Sequence, residues 1–347
     1  MGRFLLLRLL YGLLVVVAVI VLISSIIFLS PVDPAQLTFG QRVDVTTVKA
    51  KQEALGLNRS LGDQLLAYLN DISPIGLATR ETLGVIVLLP LSEKSILCLK
   101  KPNLRESYQS GRPVAEILAQ AIPATLILAC AAMLFSICLG VPMGIISALK
   151  PRSFIDFGIS LVSVLGYSLP SYVVAMGLAL LMGYLWSDWT GLGVQGSLFV
   201  LDDFGDWQVN YRNLVLPVLA LGLRPVALIA QLTRSSMLDA LSQDYIRTAR
   251  AKGVSERRVV FRHALTNALN PLISATSGWF AALLTGSFFV ETVFNFKGMG
   301  DTTVQALLAF DLPVVLGAVL FTAFLFIIIN LIVDLIYGLA DPRIRIR

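Results

Sequence analysis

The chain has 347 residues, 56% hydrophobic and only 14% charged, with a mean hydropathy of +0.80. Soluble domains carry about 25% charged residues because a water-facing surface needs them, so a soluble enzyme and a disordered chain are excluded. An outer-membrane barrel, whose strands alternate apolar with polar, is excluded by the long uncharged runs. What remains is an all-α polytopic membrane protein. Its net charge of +5 sits in short loops, a pattern of membrane topology rather than of nucleic-acid binding.

Six runs are long enough for a bilayer, which needs about 20 residues. The first, Leu9–Leu29, follows Arg3 and Arg8. It exceeds the roughly 7–15 apolar residues of a signal peptide, so residues 1–30 read as a retained transmembrane helix. Residues 31–112 hold ten basic and eight acidic residues, a water-soluble mixture expected outside the membrane. Within them Ser60 and Asp63 mark a helix start leading into Gln64–Leu69. The apolar run Leu83–Leu91 is too short to span and reads as a buried strand or a docking patch. Residues 113–342 then supply five spans, within Ile117–Leu149, Phe157–Ser187, Asn213–Thr233, Ala264–Val290 and Leu312–Val333, the last fraying on to Leu339. A basic tail, 343–347, closes the chain.

Loop charges set the orientation. Arg3 and Arg8, then Lys150 and Arg152, then seven Lys/Arg against three Asp/Glu between Arg234 and Arg262 mark the cytoplasmic side. The segment with Asp188, Asp202, Asp203, Asp206, Trp189 and Trp207 carries the outside signature. Six helices, N-in and C-in, follow.

Chemistry-bearing clusters are scarce. Cys98, Cys130 and Cys138 form no CxxC, and the last two lie in one apolar run as small packers. The single histidine, His263, excludes a His-cluster metal site and a Ser/His/Asp arrangement. No G-x-x-x-x-G-K-[ST] phosphate loop or HExxH is present, so the reading assigns the chain no catalytic residue, metal or bound cofactor. Energy for work on a solute would come from an ion gradient or from another subunit.

The cytoplasmic loop 234–270 is the richest segment. Asp239–Lys252 reads as a helix with Leu238, Leu241 and Tyr245 on one side. Ser242, Ile246, Ala249 and Gly253 form a second, small-residue face. Gly253 breaks this helix, and Ser255 with Glu256 restarts one that runs through Arg257, Arg258 and Arg262 towards Pro271. Amphipathicity alone fits two readings: insertion into another protein's groove, or a basic helix lying on anionic headgroups.

The stretch Asp244-Tyr245-Ile246-Arg247-Thr248-Ala249-Arg250-Ala251-Lys252-Gly253, continuing to His263-Ala264-Leu265, resembles the EAA loop of ABC importer permeases. Arg-Thr-Ala stands where the name-giving motif has Glu-Ala-Ala, and Leu265-Thr266 where many members have Leu-Pro. Both departures resemble the dipeptide/oligopeptide (and nickel) branch. So do Leu232-Thr233-Arg234-Ser235-Ser236-Met237-Leu238, Glu291-Thr292-Val293-Phe294, Gly298-Met299-Gly300 and Asp341-Pro342-Arg343-Ile344-Arg345. The large outside segment and the Asp-Pro-Arg ending are similar to the B-type subunit. The likeness covers roughly 1–70 and 104–347, with 71–103 resembling an insertion.

This resemblance implies a type I ABC importer permease fold in the bacterial inner membrane, forming half of a translocation pathway. It implies a second, C-type permease, cytoplasmic ATPase subunits that hold ATP and Mg²⁺, and an extracytoplasmic solute-binding protein. Asp244, Tyr245, Arg247, Thr248, Ala249, Lys252, Gly253, His263 and Leu265 then become the ATPase-coupling loop. Arg224, about halfway along the fourth span, and Glu291, near the outer end of the fifth, are the candidate pathway residues. Arg224 reads either as a fork for a peptide carboxylate or as one half of a structural ion pair. Asn330, Asp334 and Tyr337 share a helix face and read as a polar seam between helices. The alternative class, a gradient-driven secondary transporter or channel, would show repeats and acidic midplane sites, neither of which this sequence displays.

Overall fold

The computed structural model describes residues 10–12, 14–22, 25, 60–79, 86–90, 95–202 and 204–340. In chain order these form α1 (Leu10–Leu22), α2 (Leu61–Ile72), strands β1 (Ile75–Thr79), β2 (Ile86–Pro90) and β3 (Ser95–Leu99), and α3 (Val114–Leu149). Then come α4 (Phe154–Ser168), α5 (Ser171–Leu178) running into a π-helical stretch Ala179–Leu185, α6 (Ser187–Thr190), β4 (Phe199–Leu201) and β5 (Trp207–Val209). The remainder is α7 (Arg212–Leu241), α8 (Asp244–Ala251), α9 (Glu256–Arg258), a π-helical stretch Val259–Ala264, α10 (Leu265–Val293), α11 (Met299–Leu308) and α12 (Leu312–Ala340). The expected tail 343–347, Asp203 and residues 31–59 lie outside the described residues, as do parts of the expected first span.

Among the described residues, α3, α7 and Leu312–Ile332 of α12 are long and apolar enough to cross a membrane. Two bent pairs bring the number to five if each is one span: α4 with Ser171–Leu185, and Pro271–Leu284 with Ser287–Val293. The expected third span is sharply bent, its halves meeting at 103°. Pro170 has no N–H to give and drives the residue before it out of the helical region. Leu169 accordingly sits at φ −81, ψ 131.

The all-α expectation also needs correction. A three-stranded antiparallel sheet runs in the order β1-β3-β2, and β4 pairs with β5. The short apolar run expected as a buried strand or docking patch does yield a strand, β2, but all five of its residues are exposed.

The chain divides into two compact units. In the unit of Gly2–Gln120 and Thr302–Phe324, Ser60 caps α2 by accepting the Asp63 amide at 3.2 Å. One side of α2 then buries Leu65, Tyr68, Leu69 and Ile72 with Val16, Ile20, Leu312, Leu316 and Leu320. Asp311 accepts the Tyr108 amide at 2.9 Å and the Ser107 hydroxyl at 2.5 Å.

In the unit built on Ala121–Asp301 and Leu325–Arg347, α3 and α7 meet at glycine. A Cβ on Gly140 would stand 2.9 Å from the Val226 carbonyl, and one on Gly144 would stand 2.6 Å from the Ala230 carbonyl. From the other side, Gly222 would meet the Ala132 carbonyl at 3.0 Å, and Ser136 donates to the Gly222 carbonyl at 2.8 Å. Small residues four apart let membrane helices approach to backbone contact, where dispersion and interhelical hydrogen bonds replace the missing hydrophobic drive. Gly144→Ala should therefore cost about 1–3 kcal/mol through overpacking. Gly158→Ala, whose Cβ meets nothing within 4 Å, should be neutral. Thermal unfolding midpoints of the two variants in detergent check the contrast.

Candidate functional site

The loop 234–270 takes shape where α7 ends. Asp239, expected to open the loop helix, belongs to α7 instead, and Gln243 at φ −74, ψ 152 separates the two helices. α8 ends in a Schellman turn. Gly253 has φ +74, its amide donates to the Arg250 carbonyl at 3.0 Å, and the Val254 amide donates to the Ala249 carbonyl at 3.2 Å. Only a residue tolerant of the left-handed region suits this corner. The motif's accompanying apolar contact joins Ala249 and Val254 beside one buried cluster. The spacing Ala249-x-x-x-Gly253 is thus the chemistry of a helix stop.

That cluster joins four stretches of chain. Ile145 and Ala148 come from α3, Met237 and Ala240 from α7, Ile246 from α8, and Val259, Val260, Ala264 and Ala268 from the start of the fifth span. Ile246 is fully buried and Ala249 half-buried. The face expected to meet a partner is therefore partly turned inward. Asp244, Tyr245, Arg247, Thr248, Arg250 and Lys252 are exposed instead. Tyr245 Oη accepts the Asn267 side-chain amide at 3.0 Å, which also donates to the His263 carbonyl at 2.9 Å. Leu265 packs against the cluster. Arg250 forks onto Glu256 at 2.6 and 3.1 Å across the Gly253 turn, holding the Glu256 carboxyl below its ordinary range. Arg250 is accordingly spent on this ion pair.

An unforeseen ion pair lies in the same unit. Arg234 donates to Asp156 through Nε at 2.6 Å and Nη2 at 2.8 Å, and the Arg152 amide adds a third bond at 2.8 Å. Ser147 of α3 donates to the same carboxylate. One buried aspartate therefore ties α3, α4 and α7 together. The sequence signal was Ser153-x-x-Asp156, a cap-like pair whose Ser153 Oγ accepts the Asp156 amide at 3.2 Å.

Glu291, expected to line the pathway, is built into the packing of its own chain. It is 0% exposed and its oxygens are occupied. Thr125 Oγ1 donates to it at 2.8 Å, and the Gly300 and Asp301 amides donate at 2.7 and 3.1 Å. Thr125 in turn accepts the Met299 amide at 2.7 Å. A carboxylate thus sits on the N-terminal turn of α11, where free amides and the helix dipole favour negative charge. Glycine at 298 is required by proximity, since a Cβ there would stand 2.5 Å from Glu291 Oε2. A Cβ on Gly300 would stand 2.5 Å from the Phe288 Cα.

Arg224 is exposed on α7 and lies over the Tyr167 ring, 5.1 Å from its centre. Among the described residues no carboxylate pairs with it. The structure brings the loop residues together, while Arg224 and Glu291 have different partners. Of the polar seam, Asn330 donates to the Phe326 carbonyl of its own helix at 2.8 Å, while the Asp334 and Tyr337 side chains lie outside the described ones.

Residues 140–346 match the family described as binding-protein-dependent transport system inner membrane component, and residues 1–129 match its N-terminal companion family. The di/tripeptide transport system permease protein DppB of Pseudomonas aeruginosa is 36% identical over 346 residues, covering 94% of each chain. A protein of Brucella suis biovar 1 named as a peptide permease is 35% identical over 348 residues, covering 100% of each. The span of that match includes 71–103. The inward-facing MetNI methionine ABC transporter has a chain of similar fold, with TM-score 0.53, 17% identity, and coverage of 65% of this chain and 97% of that one.

If Glu291 is the structural anchor of α11, Glu291→Ala should lower the unfolding midpoint, since each hydrogen bond to a charged group contributes about 1.5–3 kcal/mol. Glu291→Gln, which keeps one acceptor, should fall between and retain transport. A stable Glu291→Gln protein without transport would return the residue to a pathway role.

Proposed function

The chain belongs to the family of binding-protein-dependent transport system inner membrane components, and on that premise we propose that it is the B-type permease of an ATP-driven importer of di- and oligopeptides. It is a transport subunit of the bacterial inner membrane. In this reading six helices cross that membrane, N-in and C-in, with residues 31–112 outside. A C-type permease completes the pathway, and an extracytoplasmic solute-binding protein delivers the solute. Cytoplasmic ATPase subunits supply ATP and Mg²⁺ chemistry that this chain does not perform. The peptide class is supported by the names of the relatives from Pseudomonas aeruginosa and Brucella suis.

The observation that carries the proposal is the build of the cytoplasmic loop. α8 presents Asp244, Tyr245, Arg247, Thr248 and Lys252 outward while Ile246 locks its other side to the ends of α3, α7 and the fifth span. A partner that grips the outer face moves the helix, and the helix cannot move without those spans. The Schellman turn fixes the direction in which α8 points, which gives Ala249 and Gly253 a shaping role in coupling. The headgroup alternative is disfavoured because Arg250 already pairs with Glu256. Arg224, which among the described residues has an aromatic face and no carboxylate beside it, lines the pathway in this reading and offers its fork to a peptide carboxylate.

Gly253→Val tests the coupling role. A branched residue in the left-handed region costs about 1–2 kcal/mol and would undo the turn. The variant should insert normally yet lose ATPase retention or uptake. Full uptake by Gly253→Val, with damage only on neutralising Arg257 and Arg258, would favour the headgroup reading. In the same assays Arg224→Met should lower uptake with the ATPase retained, whereas loss of the folded subunit would make Arg224 structural.

A further inference from the structure

The register of the extracytoplasmic sheet collects six aliphatic side chains. Ile75, Leu99 and Ile86 form one row across the three strands, and Leu77, Leu97 and Leu89 form the next. Side chains alternate along a strand, and the irregularity between Val87 and Leu89 returns Leu89 to the side of Ile86. All six therefore share one face. Leu97 is half-buried, and the other five are 41% to 65% exposed. Over β1 and β3 the opposite face is closed: Cys98 and Ile96 are buried, and a Cβ on Gly76 would strike Asn70 and Lys100. A contiguous apolar face of this kind marks a contact surface.

Its occupant follows from what holds the sheet. Asn70 of α2 brackets β1, donating to the Leu77 carbonyl at 3.0 Å and accepting the Leu77 amide at 2.7 Å. α2 in turn buries its apolar side with Val16 and Ile20 of α1 and Leu312, Leu316 and Leu320 of α12. Those residues belong to apolar helices, one of them long enough to cross a membrane. The sheet thus hangs from a helix bedded on the flanks of membrane helices, which sets it at the level of the bilayer. Two cations, Lys100 and Lys101, follow β3 directly. An apolar face at that level, with cations at the end of its central strand, suits the boundary between anionic headgroups and acyl chains.

We propose that the face of Ile75, Leu77, Ile86, Leu89, Leu97 and Leu99 is a lipid-binding surface resting in the outer leaflet. This rests on the topology above, which places residues 31–112 outside. The test uses the permease assembled with its partner subunits in nanodiscs of phosphatidylethanolamine and phosphatidylglycerol. Single cysteines at Leu77, Leu89 or Lys101, in a background lacking the native three, carry an environment-sensitive fluorophore. Lipid bearing a nitroxide near the top of its acyl chain should quench Leu77→Cys and Leu89→Cys at least about twofold more than Lys101→Cys, as interfacial burial requires. Aqueous iodide should do the reverse. Iodide quenching at Leu89 without lipid quenching would overturn the proposal. So would insensitivity to both quenchers together with crosslinking from Leu89 to a second permease chain or to the binding protein. An impermeant maleimide separates the two layers of argument. Reaction of Lys101→Cys only from the cytoplasmic side would overturn the topology, while lipid quenching at Leu89 would still uphold the membrane-facing sheet.

Discussion

A short helix outside the bilayer can report to several helices inside it only if something incompressible joins them. Here that is the buried side chain of Ile246. It stands among Ile145 and Ala148, Met237 and Ala240, and Val259, Val260, Ala264 and Ala268, so one residue touches the cluster that gathers the ends of three membrane helices. Full burial of such a side chain contributes about 1.5–3 kcal/mol, a modest amount that matters because close-packed interiors transmit displacement rather than absorb it. Close by, the Asp156 carboxylate binds Arg234 in a fork and draws α4 into the same assembly. Above it, glycine contacts between α3 and α7 leave no slack for the two helices to slide independently.

Charge is handled differently at each place it enters the membrane helices. Asp156 and Glu291 are buried and answered by several donors, Arg234 with Ser147 in one case and Thr125 with two α11 amides in the other. Such groups contribute little net stability compared with an apolar core, yet breaking one costs about 3–5 kcal/mol, so they fix which helices belong together. Among the described residues Arg224 meets the Tyr167 ring and no carboxylate. A cation left available on a membrane helix belongs where water or solute can reach it.

The parts legible in the sequence were those with local causes. Apolar length gave the membrane helices, Ser60 with Asp63 gave the start of α2, and Gly253 gave the turn after α8. The bend at Pro170 was missed, because the apolar run around it reads as a single span and hydropathy does not record direction. The sheet was hidden because pairing is non-local: β1 meets β3 across a gap that the alternation of five-residue strands cannot bridge by itself. Asp156 and Arg234 lie 78 positions apart. Helical spacing placed Ile246, Ala249 and Gly253 on one face without saying whether that face meets a partner or the chain's own core. Only the packed cluster decides that.

The central claim is that α8 is fixed to the membrane helices before any partner grips it. Hydrogen exchange of the α8 amides, followed by mass spectrometry in the lone permease, tests this most directly. Slow exchange across Ile246–Ala251, lost in Ile246→Ala while α3 and α7 stay protected, is the expected result. Exchange in the unaltered chain as fast as that of an unstructured loop would mean that the helix is assembled only by its partner, and the account of rigid coupling would fail.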